Sequence, residues 1–128
     1  LTLKAVKREL PLEDIAYEKG KNYNDKELIF TNLVDTDMLY GHRNDAKGYG
    51  NAIEEIDTYL KPIMDAMADD DLLFVTADHG CDPTVAGTDH TREKVPVLIY
   101  SKSLPSKGNL GEIVGFDMIA QQVKNWLF

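Results

Sequence analysis

Three short apolar runs rich in β-branched and aromatic residues punctuate the chain, and the apolar positions between them fall into helical spacing. The runs LIFTNLV (28–34), LLFVTA (72–77) and VPVLIYS (95–101) read as buried strands. From Ala46 to Met67, the apolar residues Tyr49, Ala52, Ile53, Ile56, Tyr59, Leu60, Ile63, Met64 and Met67 recur three and four apart, which places them on one helix face. Asp45 stands where an N-cap belongs, and Pro62 predicts a kink or break near the last turn. Helical spacing returns over 116–127 through Phe116, Ile119, Ala120, Val123 and Leu127. Near the start, Leu3, Val6 and Leu10 predict a helix over 2–10 that Pro11 ends, and residues 12–27 read as a short helix followed by a loop.

A strand, a helix and a second strand form a βαβ unit, so residues 28–34 and 72–77 are expected to lie parallel. The fold class that follows is α/β, a mostly parallel sheet flanked by helices. Such a sheet carries its functional loops at the carboxyl ends of the strands. Two polar stretches sit there, DTDMLYGHRND after Val34 and DHGCDPTVAGTDHTRE after Ala77.

Composition narrows the chemistry. At 128 residues the chain has the size of one domain with a core of its own. The net charge of −8, with no basic stripe, argues against nucleic acid as a partner. An acidic protein that handles anionic substrates needs a local cation to reverse the sign of its field. One cysteine, Cys81, excludes an internal disulfide framework and suits a reducing compartment; with no membrane-spanning run and no signal-peptide pattern, a cytoplasmic location is expected. Leu1 stands where Met would, and the chain runs straight into a helical pattern, so a piece of a longer protein is expected.

The two polar stretches hold all three histidines. The first offers Asp35, Asp37 and His42; the second offers Asp78 with His79 and, eleven positions on, Asp89 with His90. A lone histidine in a loop is ordinarily a surface residue, but three converging beside aspartates make a site for a divalent cation such as Mn²⁺, Zn²⁺ or Fe²⁺, which accepts carboxylate and imidazole together. The candidate ligands are Asp37, His42, Asp78, His79 and His90. Five are too many for one open catalytic ion and slightly too few for two. Asp35 and Asp89 are assigned orienting or turn roles, and Cys81 is left out of the set. Gly80 is expected to let the backbone turn after His79, and Gly87 to loosen the return of the loop. Arg43, Arg92 and Lys94 lie near enough to touch phosphate, or equally to pair with an Asp or Glu such as Asp45 or Glu93.

TNLVDTDMLYGHRND, a helix, and TADHGCDPTVAGTDHTREKVPVLIY closely resemble the phosphopentomutases of the alkaline phosphatase superfamily. The resemblance covers about Leu28 to Tyr100. It implies two Mn²⁺ ions, one held at the positions of Asp37, His42 and His90, the other at those of Asp78 and His79 with an aspartate from elsewhere. It also implies a phosphorylated threonine nucleophile, a cap domain, and interconversion of (deoxy)ribose 1-phosphate with (deoxy)ribose 5-phosphate. None of Thr31, Thr36, Thr58, Thr76, Thr84, Thr88 and Thr91 stands where that nucleophile would. The expectation is therefore the C-terminal part of the metal-binding catalytic core, without cap or N-terminal core and inactive alone. It should associate with the remainder of the core or with itself. The competing expectations are another metal-dependent phosphatase or phosphomutase of the superfamily, such as a cofactor-independent phosphoglycerate mutase, and a non-catalytic metal-binding module.

Overall fold

The computed structural model describes residues 27–105, 108–115 and 117–127. Its regular elements run in the order π-helical turn (Thr36–Tyr40), 3₁₀ turn (Gly41–Arg43), helix α1 (Ala46–Ala66), strand β1 (Leu73–Thr76), strand β2 (Val97–Tyr100) and helix α2 (Met118–Leu127). The helix expected over 2–10, and the segment 12–27 apart from its last residue, lie outside the described residues.

Helix α1 begins where the sequence places it. The Asp45 carboxylate accepts the Gly48 N–H at 2.8 Å and so satisfies one of the amides that a helix start leaves free. The predicted apolar face is half-buried along its length, with Ile53 left 47% exposed at its margin, and α1 packs on the π-helical turn. Pro62 does not end the helix, which continues through Ala66. The carbonyls near that end find another donor in the Lys102 ammonium, which bonds Asp65 O at 3.2 Å and also Met67 O.

Strands β1 and β2 pair antiparallel, Leu73 opposite Tyr100 and Thr76 opposite Val97. The segment joining them, residues 77–96, leaves and re-enters the same end of a hairpin. Beyond the strands the two arms meet again at a bridge between Gly80 and Thr91. The Thr76 hydroxyl donates to Pro96 O at 2.8 Å and closes the base of this loop.

The parallel sheet expected from the sequence is not formed among the described residues. Leu28–Val34 makes no strand there, and Leu28, Ile29 and Phe30 are 63, 76 and 85% exposed. A run of that kind is a strand only when neighbours pair its edges and cover both faces, and the described residues supply neither. For the same reason the core expected from the chain's size is missing among them: no hydrophobic side chain is buried, and Val114 is 98% exposed. The polar stretch after Val34, expected as plain loop, is wound into the π and 3₁₀ turns.

Residues 69–71, three consecutive aspartates, form an exposed turn whose backbone anchors other parts. Asp70 O accepts the Trp126 indole N–H at 2.8 Å, tying α2 to this turn, and Asp69 O accepts the buried Ser101 hydroxyl at 3.4 Å. No helix among the described residues is long and apolar enough to cross a membrane.

Asp45→Ala should cost about 1 kcal/mol through loss of the cap. Urea unfolding checks this as a lower midpoint with an unchanged slope.

Candidate metal centre

The first arm of the site is built by the π-helical turn. The Gly41 N–H bonds the carbonyls of Thr36 and Asp37, and this wide winding carries Asp37 and His42 onto one side. Asn44 then turns the chain at φ 52°, the left-handed region that asparagine tolerates better than most residues. Its amide reaches across to Val85 O at 2.8 Å and Pro83 O at 3.3 Å, fastening the first arm to the second. A second fastening comes from His42, whose Nδ1 bonds Thr88 O. The arms also touch at Gly41, where an added Cβ would meet the Cys81 Sγ and lie 3.1 Å from Thr36 O.

The second arm begins at the end of β1. Gly80 is needed here for space, not for turning, since its φ is not positive and an added Cβ would lie 2.6 Å from Glu93 Oε2 and 2.7 Å from Thr91 O. Gly87, at φ 109° with nothing near it, does supply the conformational freedom expected of it. Asp82 makes a tight turn by accepting the Thr84 hydroxyl at 2.7 Å and the Thr84 N–H at 2.8 Å. Those two bonds hold its carboxyl below the ordinary aspartate value, the hydroxyl contributing most.

These arms bring the histidines together around one carboxylate. His42 Nε2 stands 3.3 Å from Asp37 Oδ2, and His90 Nε2 stands 3.4 Å from Asp37 Oδ1. The His79 ring stacks on His90 at 3.6 Å between centroids, and His42 lies 4.9 Å from His90. Asp37, His79 and His90 offer ligand atoms that all lie within 4.8 Å of one another. Asp78 sits at the edge, 74% exposed, with Oδ1 3.6 Å from His79 Nε2. The tightest set thus draws on both groups that the resemblance implies for two ions. Asp35 and Asp89 take no part in it.

The donor set fits a divalent cation. Asp37 Oδ1 is buried and has no hydrogen-bond partner, a costly condition for a carboxylate oxygen. Carbonyls accept only, so the Nδ1 atoms of His42 and His79 carry the protons they donate to Thr88 O and, at 3.1 Å, Gly80 O. Their Nε2 lone pairs are left facing carboxylate oxygens, an arrangement that a cation between them satisfies.

The surrounding field has the sign a cation requires. Burial pushes the Cys81 thiol up, and its hydrogen bond with Asp37 and the charges of Asp37, Glu93 and Asp82 push it further. Tyr49, on the facing side of α1, is raised by burial and then by Cys81, Asp37, Asp82 and Glu93. A cleft of about 290 Å³ opens beside His79, lined by Tyr49, Cys81, Asp82, Glu93 and Lys94 among others. Of the basic residues, Lys94 pairs with an acid as anticipated, Glu112 at 2.5 Å, and Arg43 Nε bonds Met38 O at 3.4 Å.

The chain belongs to the metalloenzyme superfamily, whose family model matches residues 3–127. Divalent-metal binding is the common property of that class. Within it, the chain is similar to phosphopentomutases. It is 54% identical over 99 residues to the phosphopentomutase of Kosmotoga olearia, covering 77% of this chain and 25% of the relative. It is 56% identical over 98 residues to that of Clostridium novyi, covering 77% and 25%. The match to the Helicobacter acinonychis phosphopentomutase is 48% over 118 residues, covering 92% and 28%. The chain spans about a quarter of the length of the curated relatives it matches.

Alkylation of Cys81 by iodoacetamide should be slower at neutral pH than that of a free cysteine peptide, because the raised pKa leaves less thiolate. Its rate should climb only above the ordinary thiol range, and Asp37→Asn should restore reactivity toward neutral pH. Asn44→Gly keeps the positive φ but deletes the cross-loop bonds; a loss of about 1 kcal/mol in denaturant unfolding is expected.

Proposed function

We propose that this chain is the C-terminal, metal-holding part of a phosphopentomutase, an isomerase that interconverts (deoxy)ribose 1-phosphate and (deoxy)ribose 5-phosphate. The observation that carries the reading is the orphaned Asp37 Oδ1, with His90 Nε2 3.4 Å from it and His42 Nε2 3.3 Å from the carboxylate's other oxygen. The 48–56% identity to the phosphopentomutases named above supports the substrate class.

In this reading Asp37, His42 and His90 hold one Mn²⁺, and Asp78 and His79 contribute to a second whose remaining ligands come from the rest of the enzyme. When bound, the cations supply the positive charge that offsets negative charge developing on a transferring phosphoryl group. The chain's own residues keep the ligands ready. The carbonyls of Thr88 and Gly80 hold the His42 and His79 rings by Nδ1, which leaves Nε2 free to face a cation, and the Cys81 thiol, raised by burial and by Asp37, stands beside the carboxylate. The threonine nucleophile and the sugar-gripping cap belong to the rest of the enzyme.

The exposed apolar run at 28–34 fits the same reading. In the complete core it would join β1 in a mostly parallel sheet, with neighbours covering Leu28, Ile29 and Phe30. Alone, such a surface favours association with the missing part or with a second copy. A cytoplasmic enzyme with a single free thiol is consistent with this assignment.

Titration of the chain with Mn²⁺, followed by electron paramagnetic resonance, should show saturable binding that weakens from pH 7.5 to pH 5 as protons compete for the imidazoles. Asp37→Ala should weaken it by at least about 100-fold. Conversion of ribose 1-phosphate is expected only from the full-length enzyme; turnover by this chain alone would overturn the partial-core reading.

A further inference from the structure

The two stacked histidines, His79 and His90, lie on opposite arms of the 77–96 loop, and each is the residue before a member of the Gly80–Thr91 bridge. What sets the separation of the arms is therefore what sets the separation of the rings. Three bonds meet at Thr91. Its N–H donates to Gly80 O at 3.1 Å, its hydroxyl oxygen accepts the Asp82 N–H at 2.7 Å, and its hydroxyl proton goes to Glu93 Oε2. A hydroxyl has one proton to give and lone pairs to receive, so Thr91 occupies both capacities at once. Valine has the same shape and neither capacity.

The packing leaves little slack at this point. A single carbon added at Gly80 would lie 2.7 Å from Thr91 O and from Glu93 N. On the His90 side, residues 84–90 are exposed, and further ties to that arm run from His42 to Thr88 O and from the Asn44 amide to Val85 O.

We propose that Thr91 is a positioning residue for the metal centre: its hydroxyl, bonded to Asp82 on one arm and Glu93 on the other, fixes the distance between His79 and His90. The inference rests on the metal-binding reading above. Thr91 touches neither metal nor substrate in this role and acts through the two imidazoles. Groups that orient ligands in this way typically contribute about 10–100-fold to metal affinity.

The test is Co²⁺ titration of the whole chain, read by visible d–d absorption, which reports ligand number and geometry as well as affinity. Thr91→Val should weaken binding about 10–100-fold and alter the band shape, while Thr91→Ser, which keeps the hydroxyl, should return both to within about twofold of the unsubstituted chain. Equal affinity and spectrum for Thr91→Val overturn the inference, as does equal weakening by valine and serine. Far-UV circular dichroism checks the fold. If the valine variant does not fold, Glu93→Ala removes the hydroxyl's acceptor and should also weaken binding; unchanged binding then overturns the inference. No binding by the unsubstituted chain overturns the metal reading itself, and this inference with it.

Discussion

The described part of this molecule is organised around one carboxylate. Asp37 has a buried oxygen, Oδ1, with no hydrogen-bond partner, while His42 Nε2 and His90 Nε2 stand 3.3 and 3.4 Å from its two oxygens. A buried carboxylate oxygen left without a partner is unfavourable. A divalent cation turns the same set of contacts favourable. The bonds to Thr88 O and Gly80 O hold the His42 and His79 rings in place.

The scaffold achieves this with few elements. An antiparallel hairpin holds the base of a long loop, a π-helical turn presents Asp37 and His42, and the fastenings run between backbone carbonyls and side chains. Burial first, and then the acidic surroundings of the loop, raise the Cys81 thiol and the Tyr49 phenol together.

Much of this was legible in the sequence. The spacing of Tyr49, Ala52, Ile56 and Ile63 records the face of α1, Asp45 its start, and the apolar runs around 74 and 98 the two strands. The clustering of three histidines in two loops was legible because ligand chemistry leaves its mark in residue type. Other features were not. Leu28–Val34 reads as a strand because an apolar run records what a segment can bury, not whether its partners are present among the described residues. Gly80 reads as a turn, but its need for a bare Cα arises from Glu93 and Thr91, thirteen and eleven positions away. Asn44 carried a faint signal, an asparagine closing a polar turn. Thr91 carried none, since a hydroxyl bridging two arms looks in sequence like any threonine.

Trp126 is the chain's one tryptophan, and its indole proton is committed to Asp70 O, on the turn that precedes β1. Its emission is therefore a local gauge of whether the terminal helix rests on the acidic turn. Detachment of α2 would register as a change in the indole's colour even while the loops around Asp37 stayed as they are. The molecule thus carries its own fluorescent reporter for one seam, optically separate from the place where its chemistry gathers.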